Sequence, residues 1–124
     1  MTFSDPFRQD GVERLPFRIQ SRTADTAVVL HVRGEVDLST AGDLEEAVAT
    51  ALAAGPSALV VDLTEVSFLD SAGLGVLAHG HIKGSERTSF RVVVSSQVIE
   101  KPLRLTGLDK LLAVYNSVDG ALNG

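Results

Sequence analysis

Ala58-Leu59-Val60-Val61-Asp62-Leu63, then Val66-Ser67-Phe68-Leu69, then Asp70-Ser71-Ala72-Gly73-Leu74-Gly75 form the stretch on which the fold turns. The first run is apolar but for one carboxylate, as a buried strand is, so the chain reaches residue 71 from the protein interior. Beyond it, Leu74, Leu77, Ala78 and Ile82 recur at helical spacing, which predicts an amphipathic helix to about Lys83. Asp70 suits the N-cap, where its carboxylate accepts from the free amides of the first turn and complements the positive end of the helix dipole. Ser71 then falls in that first turn with its hydroxyl exposed. Gly73 and Gly75 each cost roughly 1 kcal/mol against Ala in a helix, so both are expected to serve the close approach of another backbone or a partner.

Upstream, Phe17-Arg18-Ile19-Gln20 alternates like an edge strand, and Ala27 to Arg33 reads as a second strand after a Thr23-Ala24-Asp25-Thr26 hairpin connection. Leu44, Ala47, Val48, Ala51 and Leu52 then form one helical face, with Asp43, Glu45 and Glu46 in the first turns and Gly55-Pro56 as the stop. Downstream, Gly84 to Thr88 is a polar turn before a strand over Phe90-Arg91-Val92-Val93-Val94. A helix from Ser96 to Thr106 is closed by Gly107, and Pro102 either sits in its first turn or delays its start. A short strand at Ala113-Val114-Tyr115 and a terminal helix at 118–122 complete the pattern. Strands alternating with helices predict an α/β fold, a mixed but mainly parallel sheet of four to five strands with four α-helices.

At 124 residues and 44% hydrophobic content the chain fits one small domain with a real core. Residues 1–16 carry Pro6, Gly11, Pro16 and mixed charges without periodicity, and are expected to form a flexible arm on which Phe3 and Phe7 are the side chains able to dock. Residues 17–124 form the domain. No apolar run approaches the roughly 20 residues of a membrane helix, and the polar start is no signal peptide, which points to the cytoplasm. With no cysteine there is no disulfide, thiol catalysis or thiolate metal site. A net charge of −5 argues against a nucleic-acid partner, since such affinity rests on clustered Lys and Arg.

Asp70-Ser71-x-Gly73-Leu74-Gly75 after a Val/Leu-rich strand resembles the signature of the STAS domain, the module of sulfate transporters and anti-sigma factor antagonists. Gly34-Glu35-Val36-Asp37 at the end of an early strand and Leu105-Thr106-Gly107-Leu108 before the last strand add two matches at similar separations. The resemblance spans about residues 17 to 122 and implies an anti-sigma factor antagonist. In its unphosphorylated form such a domain binds an anti-sigma factor of the histidine-kinase-like ATPase type and so frees a sigma factor. That partner then acts as a serine kinase on the domain, and a metal-dependent serine phosphatase reverses the modification. By position, Ser71 matches the phosphoacceptor. Asp37, Ser39, Thr40, Asp70, Ser71, Ala72, Gly73 and Leu74 match the partner-facing segments, with turn residue and N-cap as the plain structural roles of Asp37 and Asp70. Ala72 departs from the second Ser or Thr often found there, and Pro102 departs from the basic or polar residues usual in its helix. No cofactor, metal or membrane partner is implied.

An esterase would need a Gly-x-Ser-x-Gly elbow with a His and an acid in reach, whereas Ser71 is flanked by Leu69 and Gly73. His79 and His81, two apart on a helix, point about 200° apart and make no chelating pair. His31, in a strand, reads as structural. An enzyme is therefore not expected. The alternative is a STAS adaptor or scaffold of a transport or signalling complex, with no phosphorylation switch. Thr64, Ser67 and Ser85 are further hydroxyls expected on loops, none in an Asp-Ser-x-Gly context.

Overall fold

A computed structural model of the chain describes residues 16–84 and 86–124. All of the expected arm except Pro16, including Phe3 and Phe7, lies outside the described residues, as does Ser85. In chain order the elements are β1 (Arg18–Ala24), β2 (Ala27–Val36), α1 (Ala41–Ala53), β3 (Ala58–Leu69), α2 (Ser71–Gly84), β4 (Ser89–Val93), α3 (Gln97–Leu105), α4 (Leu108–Leu111), β5 (Ala113–Tyr115) and α5 (Val118–Leu122). The five strands lie in the order β1-β2-β3-β4-β5. The hairpin pair β1–β2 is antiparallel, and the other three pairings are parallel. The expected mixed α/β sheet is the one observed, with α4 as an additional helical turn.

Sequential parallel strands joined by crossovers of one hand put their helices on one face. Leu59, Val61 and Leu63 of β3 accordingly pack with Leu44 and Val48 of α1, Leu77 of α2 and Ile99 and Leu103 of α3. The alternate residues Val29, Val60 and Val93 face the other way, against Ala121 of α5 with Val118 and Leu122 beside it. Two-sided cover is why the 58–63 run shows no apolar/polar alternation.

Asp62 interrupts that run because the half of the second face beyond α5 is polar. Its Oδ1 accepts the Thr64 amide at 3.0 Å, and its Oδ2 lies 2.7 Å from His31 Nδ1. Arg22 Nε donates to His31 Nε2 at 3.0 Å, which places the ring proton on Nδ1, directed at Asp62. The row ties β1, β2 and β3 together and accounts for a histidine inside a strand.

Several boundaries differ from the sequence reading. Thr23 and Ala24 pair with Val28 and Ala27, so the hairpin turn is only Asp25-Thr26, with Asp25 at φ 55°. A short polar residue tolerates that left-handed conformation better than most. The two runs 58–63 and 66–69 are one strand, which places Thr64 and Ser67 within β3 and not on a loop. Pro102 neither opens nor delays α3 but sits in its second turn, while Gly107, at φ 78°, follows the Thr106 C-cap.

The buried stripe of α2 also differs from expectation. Leu74 and Leu77 are buried as expected, but the stripe continues through Gly73, Val76, Gly80 and Gly84, and Ile82 is 64% exposed. At 100° per residue Ile82 lies about 140° around the helix from Leu77, off the packed side. Gly80, not Gly75, shares the close-approach role with Gly73: a Cβ at Gly80 would come within 2.7 Å of the Phe90 ring, whereas one at Gly75 would meet nothing within 4 Å.

Candidate functional site

The parallel strands β2 and β3 end side by side, Val36 against Leu69, and each passes at once into a polar turn. Crevices at the carboxyl ends of such strands are where α/β folds place their sites. The Asp70 amide donates to the Val36 carbonyl at 3.1 Å, joining the two turns through the backbone although they are far apart in sequence.

On the β3 side, Asp70 caps α2. Its Oδ1 accepts from the amides of Ala72 at 2.9 Å and Gly73 at 3.3 Å, and its carbonyl accepts from Leu74 at 3.0 Å. Ser71 is exposed in the first turn, as expected. Ala72 is half-buried, while Gly73 and Leu74 turn inward. A Cβ at Gly73 would sit 2.4 Å from Leu69 Cδ1 and 2.7 Å from Val36 Cγ1, so this glycine lets the helix start rest directly on the strand ends. Gly73 and Leu74 thus position the turn from beneath. Replacing Asp70 with Ala is expected to lower unfolding stability by about 1 kcal/mol, the usual worth of an N-cap, measured by urea denaturation.

On the β2 side, Asp37 Oδ1 accepts from the Ser39 amide at 2.9 Å and the Ser39 hydroxyl at 2.6 Å. The Thr40 hydroxyl accepts from the Asp37 amide at 2.9 Å and donates to the Glu35 carbonyl at 2.8 Å. The Asp37 carbonyl receives the amides of Thr40 and Ala41, which starts α1. The Ser39 hydroxyl, more than any other group, holds the Asp37 carboxyl below its ordinary range, against a smaller opposing effect of desolvation. A depressed folded-state pKa means that this stabilisation is complete at neutral pH and is lost as pH falls through the folded value. Asp37 therefore presents a full negative charge at neutral pH.

Two apolar side chains in the segments that lead into and out of these turns are exposed. Leu38, in the Asp37 turn, is 84% exposed, and Phe68, opposite Glu35 in register, is 44% exposed. The sequence reading placed Phe68 with the interior run, but only Val66 and Leu69 of that group are buried. A signal for Leu38 was present: a leucine between Asp37 and Ser39, in a turn, has no strand or helix face to bury it. Neither segment 34–40 nor segment 66–75 contains a lysine or arginine. The arrangement is a hydroxyl on a helix start next to the Asp70 cap, joined through the backbone to the turn that carries Asp37. His79 is exposed and His81 half-buried, both farther along α2. Among the described residues no three His, Cys, Asp or Glu side chains gather as a metal site.

The STAS-domain family model matches residues 18–121. The chain is 43% identical over 96 residues to the anti-sigma-F factor antagonist RsfB of Mycobacterium tuberculosis, covering 77% of this chain and 79% of that protein. It is 32% identical over 111 residues to the anti-sigma-B factor antagonist of Listeria monocytogenes, covering 89% and 96%. Among solved structures, an anti-sigma factor antagonist from Mycobacterium paratuberculosis superposes with a TM-score of 0.84 at 39% identity, covering 87% of this chain and 92% of that one.

Proposed function

Since the chain belongs to the STAS-domain family of anti-sigma factor antagonists, we propose that it binds an anti-sigma factor through the surface around Ser71 and so frees a sigma factor for transcription. The partner is an anti-sigma factor of the histidine-kinase-like ATPase type, which transfers the γ-phosphoryl group of ATP to the Ser71 oxygen. The hydroxyl proton is lost and ADP leaves. The phosphorylated domain no longer binds, and a metal-dependent serine phosphatase restores it by hydrolysis. Residues 17–124 form the binding domain, and the cytoplasm is its place of action. Among the described residues no helix is long and apolar enough to cross a membrane.

The observation that carries this reading is the exposure of Ser71 at the start of α2, beside the Asp70 cap whose amide is bonded to the end of β2, where the Asp37, Ser39 and Thr40 turn begins. A hydroxyl so placed does no chemistry of its own but is open to modification by another protein. Leu38 and Phe68 supply apolar anchors, the kind of group that dominates interface energetics when desolvated at the centre of a contact. Leu38→Ala and Phe68→Ala are each expected to weaken anti-sigma factor binding by about 5- to 30-fold, measured by calorimetry, with little change in unfolding midpoint.

The deciding experiment is an affinity capture from native lysate with ATP, using wild type, Ser71→Ala and Ser71→Glu as baits and phosphosite mass spectrometry on the wild type. The proposal expects an ATPase-fold kinase on the Ala form, its depletion on the Glu form, and phosphate on Ser71. Recovery of transport components irrespective of residue 71, without phosphate, would replace it with the adaptor reading.

A further inference from the structure

Arg18, the first residue of β1, stands directly opposite Arg33 of β2 in the antiparallel register. Val32 packs toward the helices, so both arginines look out from the other face of the sheet, as His31 does. Like charges placed directly opposite each other disfavour strand pairing. Among the described residues neither guanidinium has a hydrogen bond or ion pair, and the Arg33 Nε is closed off from solvent without an acceptor. Glu65 lies opposite Arg33 on β3 but forms no ion pair with it. Arg22 and Arg91 share this face and are engaged, Arg22 with His31 and Arg91 with the Ala121 carbonyl and the Ser89 hydroxyl. Arg18 and Arg33 are left as an open cationic pair.

That pair sits at the end of the sheet that carries Ser71. Arg33 precedes Val36 by three residues, about 10 Å of strand, and the Asp37 turn begins just beyond. Glu35 is the next residue of β2 on the same face, and the exposed Phe68 stands opposite it. The arginines therefore lie on the sheet face that runs up to the two joined turns carrying Asp37 and Asp70. A net charge of −5 opposes the approach of acidic groups in general, whereas two guanidiniums with no anion of their own attract one locally. The planar arginine fork matches a carboxylate. We propose that Arg18 and Arg33 receive an acidic side chain of the anti-sigma factor, which rests on the reading of the Ser71 surface as that protein's docking site. Carboxylates in the turns and cations on the adjoining face then fix which way round the partner lies.

The test is calorimetry of the full chain against the ATPase-type anti-sigma factor retained by the Ser71→Ala bait, comparing wild type, Arg18→Gln/Arg33→Gln and Phe68→Ala. The double variant is expected to bind about 10-fold more weakly in about 50 mM salt, and only about 2-fold more weakly in about 0.5 M salt, where the pair is screened. Its unfolding midpoint is expected to be no lower than that of the wild type. Weakening by Phe68→Ala but not by the double variant would overturn the proposal and leave the docking reading standing. Weakening by neither would overturn both. Arg18→Lys/Arg33→Lys provides an independent measurement with a carbodiimide, which condenses a lysine amine with a carboxylic acid to an amide and takes up the water as a urea. Crosslinks from residue 18 or 33 to an Asp or Glu of the anti-sigma factor are expected in mass spectrometry. Crosslinks only to carboxylates of the same chain, or of a second copy, would assign the pair to a contact of this protein with itself and refute the proposal.

Discussion

Ser71→Glu is expected to weaken binding to the anti-sigma factor by about 10²- to 10³-fold or somewhat more, while Ser71→Ala binds like the wild type and resists phosphorylation. Phosphorylation adds about −1.5 to −2 charge and three acceptor oxygens, and the glutamate is a partial mimic of that charge. In the free domain the group stands in solvent at the positive end of α2, where a negative charge is tolerated. Asp70 already takes the Ala72 and Gly73 amides, so those two donors are engaged when a second anion arrives. In a docked interface the new charge must be desolvated next to Asp70, in segments that contribute no cation. Against a partner shaped for a neutral hydroxyl, an unpaired buried charge costs roughly 3 to 5 kcal/mol, and each 1.4 kcal/mol is tenfold. No refolding is required, so the Glu variant is expected to unfold close to the wild-type midpoint. Equal affinities of the Ala and Glu variants in calorimetry would refute the switch.

The second large effect is structural and is expected at Gly73. Val36 is β-branched and stiff, and its Cγ1 would lie 2.7 Å from an added Cβ, while Leu69 Cδ1 would lie at 2.4 Å. Gly73→Ala sets an overpacking cost of about 1 to 3 kcal/mol against about 1 kcal/mol of gained helix propensity. Gly73→Val adds two further carbons to the same contact without the propensity gain of Ala, and is expected to lose about 2 to 4 kcal/mol. Because α2 must lift from the strand ends to make room, partner affinity falls as well. Gly75→Ala is the control, since nothing lies within 4 Å of its Cβ position. It is expected to be neutral or to stabilise by up to about 1 kcal/mol. Urea midpoints that move equally for Gly73→Ala and Gly75→Ala would show that helix propensity alone governs both positions.

Much of the architecture was legible because it is written locally. The apolar run at 58–63, the period of Leu44, Val48 and Ala51, the Asp70 cap and the Gly107 stop each depend on neighbours within a turn or two. Periodicity and capping report such short-range preferences directly. The motif around Ser71 was legible for the same reason, as a cap, a hydroxyl and a helix start in consecutive residues.

What stayed hidden depends on partners distant in sequence. Nothing near Gly75 distinguishes it from Gly73. Only the crossing of α2 over Val36 and Leu69 makes one indispensable and leaves the other open, just as only Phe90 and Val48 give Gly80 its role. Ile82 fits a helical apolar pattern yet faces solvent, because beyond Leu77 the packed line of α2 continues through Gly80 and Gly84, glycines that a hydrophobicity pattern does not count. The sequence by itself determined the order and kind of the elements apart from the α4 turn, and the exposed serine at a helix start. The tertiary structure alone decided that the Asp37 turn and the Ser71 turn meet at the ends of paired strands with Leu38 and Phe68 outward, because strand pairing and close packing are contacts between segments that local preference cannot specify.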